Sequence, residues 1–313
     1  MEMNLENAGL LGAGAYAASK AAEKLIEKVA SAAYLVAEPT LMRRKASAEI
    51  EISTAVEAAN SELPDTNNLL RRTIQTMVRR EIIQQLNRED ILARSLPLLD
   101  ENSEPTSVAD EWMFNFFERC GTFSAEEMKD VWAKMLAGEA NSPGQFSRHA
   151  VNILSMMDSN DVSTFTKLLS CSFDNYNNAI IIFGLNDAIL GSVGVLFDDL
   201  NSLRSLGLIA YDAIGSIDLS ITPPLEKEGL LYGGYILLLK KDGGIATLPT
   251  GKITLTRAGF ELAKLVNKTY IMSYLEYVRS ALIKKQFSAE IKLFVGKTVL
   301  DDGGQGFECR DVD

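Results

Sequence analysis

The sequence predicts a mainly α protein with three parts: long N-terminal helices of coiled-coil or stalk character, a central helical cluster, and a C-terminal winged-helix-like α+β unit. Three observations carry this. Apolar residues step by alternating four and three between Leu10 and Val36. A dense aromatic set, Trp112, Phe114, Phe116 and Phe117, leads into a second apolar helix around Trp132. From residue 179 onward β-branched runs and glycine turns take over.

In the first helix Leu11, Ala15, Ala18, Ala22, Leu25, Val29, Ala32 and Val36 occupy an unbroken heptad seam. Alanine at most of these positions lets two helix backbones approach closely. The charges Lys20, Glu23, Lys24, Glu27 and Lys28 fall into one narrow strip at 100° per residue. Such a helix joins chains into an oligomer, lies on a membrane, or lines a pore with its charged strip. Roughly 28 helical residues reach about 42 Å, enough to cross a bilayer. Pro39 ends this helix and a second runs from about Leu41 to Glu62. Pro64-Asp65 breaks that one, and Asp65, Thr66 or Asn67 caps a third reaching Ser95. Residues 1–98 are thus expected to be an oligomerisation or membrane-active region. Arg43, Arg44, Arg72 and Arg79 are its candidate contacts to lipid headgroups or phosphate, although interspersed glutamates equally fit a salt-bridged surface.

Asp100 to Ser107 reads as a linker, and residues 108–175 as a helical core domain. The four aromatics are assigned to its core. Ser124-Ala-Glu-Glu127 has the form of a capping box, and Ser147 and Ser159 start further helices. Residues 176–300 are expected to form the winged-helix-like domain. Its parts are a buried strand at 179–183, a helix from Val193 to Leu206, a hairpin turning at Lys241-Asp-Gly-Gly244, a Leu-Thr-x-x-Gly helix from Leu255, a helix from Tyr270 to Ile283, and a strand at 291–300. Residues 301–313 read as a mobile acidic tail.

With 313 residues the chain is long enough for two ordinary domains, and 47% apolar with 23% charged residues is the balance of a folded protein. A net charge of -11 argues against general duplex DNA binding, and the predicted reading helix carries Asp198-Asp199. Cys120, Cys171 and Cys309 are odd in number and widely spaced, as in a reducing compartment. The opening residues lack a secretory signal pattern, so a cytoplasmic location is expected, with association to the inner membrane left open. His149 is the only histidine, so a catalytic triad or a histidine-based metal site would have to use it. No cysteine pair has metal-ligand spacing. Gly12-Ala-Gly14, Gly191-Ser-Val-Gly194 and Gly303-Gly-Gln-Gly306 lack the strand, lysine and helix context of a phosphate loop. No catalytic residue, metal or cofactor is therefore assigned.

Trp132-Ala-Lys-Met-Leu-Ala-Gly-Glu139, followed by Pro143-Gly-Gln-Phe-Ser147, resembles the signature of an uncharacterised bacterial family. The resemblance extends to Asp110-Glu-Trp112, Phe116-Phe117, Pro39 with Arg43-Arg44, and the pair Leu206-Gly-Leu-Ile209 and Leu255-Thr-Arg-Ala-Gly259. It implies no established activity. The chain also resembles effectors of bacterial antiphage systems, without residues that map one to one. That likeness implies a membrane-active effector silenced by a nucleotidyltransferase or its oligonucleotide product.

The leading functional expectation is a non-enzymatic oligomeric effector. Its N-terminal helix acts on membranes as a pore or channel, and its C-terminal domain senses a ligand or inhibitory partner. The alternative is a soluble oligomeric regulator or scaffold binding protein or DNA. An enzyme using only carboxylate or hydroxyl chemistry is a third reading.

Overall fold

The computed structural model describes residues 20–32, 54, 57–58, 68–176, 178–212, 214–215, 217–299 and 305–312. They divide into two units, Met1–Ser155 and Met156–Asp313, a boundary that falls inside the 108–175 domain expected above.

The described part of the first unit is helical: α1 (Lys20–Ala32), α2 (Asn68–Ser95), α3 (Asp110–Cys120), α4 (Glu126–Asn141) and α5 (Arg148–Leu154), with short 3-10 turns at Leu96–Leu98 and Pro105–Ser107. Its core is aromatic. Trp112 stacks on Phe116 at 5.1 Å, and Phe116 meets Trp132 edge-on at 5.1 Å. Rings of this size bury 150–250 Å² each and dominate the packing energy.

α2 buries Ile91 and Leu92 of its C-terminal half and packs on α4 and α3. Asp90 and Arg94 of α2 pair with Lys129, Glu126 and Asp130 of α4. Burial alone would raise the Asp90 carboxyl, but hydrogen bonds from Arg94 and Lys129 outweigh it and hold it below its ordinary value. α1 packs on the Pro105–Ser107 turn and on α3, with Ala22, Leu25 and Val29 fully buried. The coiled-coil stalk is therefore corrected. A seam of small apolar residues specifies close helix contact but not whose helix, and here the chain's own unit supplies it. The helix expected at 41–62 lies outside the described residues except at Thr54, Glu57 and Ala58, which are helical.

The second unit is α+β. Helices α6 (Ser159–Leu169), α7 (Ala188–Ser192), α8 (Phe197–Ser205), α9 (Arg257–Ala263) and α10 (Met272–Ile283) accompany two antiparallel sheets. The small sheet pairs β1 (Ile209–Tyr211) with β4 (Ile253–Leu255). The larger has the order β2 (Ile217–Tyr232), β3 (Tyr235–Gly251), β5 (Ser288–Val299), β6 (Gln305–Arg310).

This overturns the winged-helix assignment. The β2–β3 hairpin turns at Gly233-Gly234, where Tyr232 opposes Tyr235, and β5 and β6 extend it into a four-stranded sheet. Lys241 to Gly244 is not a hairpin end. The pairing runs from Lys227↔Lys240 to Leu225↔Ile245, so these four residues are a bulge in β3, with Gly243 and Gly244 at φ +82° and +85°. Glycines that permit positive φ serve a bulge as well as a turn, and only the pairing register separates the two. The tail expected at 301–313 is corrected for Gln305–Arg310, which form the strand β6 paired along β5. The run at 179–183 makes only single bridges, Ser172↔Ile180 and Ile182↔Gly251, although Ile180, Ile181 and Ile182 are buried.

The β5–β6 ribbon folds back over the sheet. β5 is irregular between Phe294 and Gly296, and Phe307 of β6 reaches β2, although β3 and β5 lie between them in the sheet order. A Cβ on Gly229 would lie 2.7 Å from the Phe307 ring, so only glycine admits that ring.

Candidate functional site

The Trp132–Ser147 stretch joins α4 to α5 and is tied to α3, and an open groove lies along α3 and α5. α4 continues past Gly138 to Asn141, and the chain turns at Pro143-Gly144 into α5. Glu139 is 3% exposed. Its carboxylate accepts from Gly144 N at 2.7 Å and Phe146 N at 2.8 Å, replacing the water a buried carboxylate has lost. Trp112 Nε1 donates to Phe146 O at 2.8 Å, tying α3 to the same turn. Ser147 Oγ accepts from Ala150 N and caps α5. The Ser124 box does not form, as α4 starts after Ala125 with no side-chain cap.

With α3 and α5 so fixed, an open groove of about 680 Å³ lies along them, lined by Asp110, Glu111, Phe114, Asn115, Glu118, Arg119 and Arg148. Phe114 is 49% exposed, in contrast to the buried Trp112, Phe116 and Phe117. Its assignment to the core is thereby corrected. At 100° per residue it lies across the helix from Trp112 and Phe116, and Asp110, Glu111 and Glu118 surround it. The periodicity that marks the groove was present in the sequence. Arg119 is spent on the floor, donating from Nε to Asn115 Oδ1 at 3.1 Å and from Nη1 to Ser155 Oγ at 3.4 Å. Arg148, adjacent to His149 in the first turn of α5, has no hydrogen-bond or ion-pair partner among the described residues. His149 itself is exposed and outside the lining.

α1 meets the edge of this groove. Lys28 Nζ pairs with Asp110 Oδ1, with the lysine largely covered and the aspartate exposed. Of the other charges in that strip, Lys20, Glu23 and Glu27 are exposed and Lys24 half-buried. Leu11, Ala15, Ala18, Val36, Arg43 and Arg44 lie outside the described residues, as does the side chain of Ala32. Arg72 and Arg79 are exposed on α2, far along the chain from the groove residues.

The second unit holds a buried polar cluster that resembles chemistry but secures the fold. Lys268 Nζ donates to Ser172 O at 2.8 Å and Ser172 Oγ at 3.1 Å and pairs with Asp174 at 2.8 Å. A serine–lysine pair is the form of an activated nucleophile. Ser172, however, is fully buried and spends its own proton on Leu169 O at 2.7 Å. Tyr232 donates to Ser170 O at 2.6 Å and accepts from Ile271 N at 2.8 Å; Tyr274 accepts from Ile181 N at 3.1 Å. Burial, with Asp174 adding, pushes the Tyr270 hydroxyl up to about 12, and burial pushes the Cys171 thiol up to about 12. The Tyr270 hydroxyl and the Cys171 thiol are thereby held in their protonated forms at neutral pH. Among the described residues no group of three or more His, Cys, Asp or Glu side chains is placed to hold a metal. Among them, too, no helix is long and apolar enough to cross a membrane.

Comparison with known proteins places the chain in a family. A model for DUF2806, a protein family of unknown function, matches residues 71–279, and the chain belongs to it. That range includes the groove and the 132–147 stretch; α1 lies before it. No curated protein matches, and no solved structure matches.

Proposed function

We propose that this DUF2806 protein works by binding, as a non-enzymatic regulator or scaffold that receives a protein segment on its helical unit. The observation that supports this is the α3–α5 groove, where an exposed Phe114 stands between the exposed Glu111 and Glu118 of the same helix face. An apolar anchor inside a charged rim is the usual anatomy of a recognition surface. The test is site-specific photo-crosslinking in cells from position 114, with positions on the second unit as controls. A discrete protein adduct formed from position 114 alone supports the reading. Absence of adducts from every position overturns it.

A second reading keeps the oligomeric effector of antiphage defence, with α1 as the membrane-active element and a nucleotidyltransferase or its oligonucleotide product as silencing partner. What favours it is α1 itself, with Ala22, Leu25 and Val29 buried on one face, Lys20, Glu23 and Glu27 exposed on the other, and an ion pair from Lys28 to Asp110. Such pairs contribute only about 0–1 kcal/mol. Dye leakage from anionic liposomes, measured for the native chain and for Lys28→Glu, separates the readings. Leakage by either protein favours the effector; two inert proteins that sediment as a single species favour the regulator.

A further inference from the structure

We infer that the N-terminal half of α2 is a docking surface for the chain's own acidic segment, residues 46–62, which returns along it in the antiparallel sense. The inference is independent of the groove reading. Every described residue that α2 buries lies at Asn87 or beyond, whereas positions 69–86 are exposed or half-buried. Within that half, Ile74, Val78 and Ile82 form a half-buried stripe at four-residue steps, with Leu69, Met77 and Ile83 exposed around it. Helices draw most of their stability from packing an apolar face rather than from propensity, so this stripe calls for a cover.

Charge selects the cover. Residues 68–80 carry Arg71, Arg72, Arg79 and Arg80 and no acid. Glu81, the next charge, pairs with Arg88 at 2.9 Å. A second copy of α2 would set arginine against arginine, which opposes self-association. Residues 46–67 have the opposite character, with Glu49, Glu51, Glu57, Glu62 and Asp65 and no lysine or arginine. Thr54, Glu57 and Ala58 are helical and exposed, at the three-and-four spacing of one face. At 100° per residue Ala48, Ile52, Ala55 and Ala59 fall on the other side, and three of them are small enough for close approach. Pro64 disfavours helix just ahead of α2, where the return begins. The return sets Ala55 level with Ile74 and Ile52 level with Val78. It brings Glu57 level with Arg72, and Glu49 and Glu51 level with Arg80 and Arg79. Arg43, Arg44 and Lys45, which precede the segment, then fall level with residues 84–86, between Glu81 and Glu89. A partner on so short a connection is present at millimolar effective concentration, ahead of lipid headgroups or free phosphate. Arg72 and Arg79 are thereby neutralised within the chain.

The test is disulfide trapping in the full chain, with Cys309→Ser removing the thiol that is not buried. Ala55→Cys is combined with Ile74→Cys or Val78→Cys, and with Ile83→Cys on the opposite side of α2 as control. Oxidation should give an intrachain crosslink from position 55 to 74 or 78 and not to 83, at a rate independent of protein concentration. Arg72→Glu/Arg79→Glu should slow that crosslink about tenfold, and adding Glu49→Arg/Glu57→Arg should restore it. Restoration separates ion pairing from a disturbed fold, which circular dichroism also checks. Crosslinks that form only between chains overturn the inference in favour of a second copy. Crosslinks from no pair, or equally from all three, overturn it outright. Pelleting of the native chain with phosphatidylglycerol vesicles, lost in Arg72→Glu/Arg79→Glu, then assigns the arginines to lipid phosphate. A crosslink indifferent to both charge reversals overturns the role given to the ion pairs.

Discussion

At the scale of single residues, the buried carboxylate of Glu139 shows how a polar side chain can be structural. It holds two backbone N–H groups of the turn that joins α4 to α5. Glu139→Ala leaves both donors without that acceptor, at a cost of about 2–4 kcal/mol. The helical unit should melt about 5–15 °C lower, read by thermal circular dichroism. Tyr270 makes a different prediction. Its folded-state hydroxyl is pushed up to about 12, whereas an unfolded tyrosine ionises near 10. The folded state then holds the proton more tightly, so this stability is intact below pH 10 and is lost as the pH climbs from there to 12. Denaturant midpoints at pH 8 and pH 11 should differ, and Tyr270→Phe should narrow the difference.

At the scale of elements, close approach and ion pairing decide what packs where. Leu206-Gly-Leu-Ile209 and Leu255-Thr-Arg-Ala-Gly259 are one device. β1 pairs β4, Thr256 Oγ1 donates to Gly207 O at 2.5 Å and accepts from Gly259 N at 3.0 Å, and a Cβ on Gly259 would lie 1.9 Å from Leu208 O. Gly259→Ala should therefore displace α9 and cost about 3 kcal/mol or more. The control is Gly191→Ala in α7, which meets open space and should be neutral or stabilising by up to about 1 kcal/mol. Chemical denaturation of both variants gives the comparison. Between α2 and α4 the Asp90 carboxyl is held below its ordinary value by Arg94 and Lys129, against the pull of burial. A depressed acid stabilises above its unfolded pKa near 3.9 and loses that contribution as the pH falls through its lower folded value. Asp90→Asn should flatten the loss of stability between about pH 4 and pH 2, measured by urea titration.

At the scale of the whole molecule, each unit has a core of its own. Trp112, Phe116, Phe117, Trp132 and Phe146 anchor the first; Phe173, Tyr232, Tyr274, Leu237 and Leu239 anchor the second. Residues 156–313 expressed alone should unfold cooperatively with an intact near-ultraviolet spectrum, as a unit with its own core does. A fragment that dissolves without cooperative melting or near-ultraviolet signal would refute this.

The sequence by itself determined the local facts. The amphipathic stripe of α1, the cap at Ser147, the two glycine-bearing motifs of the second unit and the buried aromatics of α3 follow from spacing and side-chain chemistry within a few turns. Phe114 was equally available to that reasoning, since helical periodicity alone sets it apart from Trp112 and Phe116. Only the tertiary structure decided partners. Whether the α1 seam meets another chain or the Pro105–Ser107 turn, whether Lys241 to Gly244 ends a hairpin or bulges from a strand, and whether the tail pairs with β5 all depend on residues far away in the chain. Periodicity encodes which face of an element must be covered. The element that covers it is chosen by the free energy of the whole fold, which no local pattern contains.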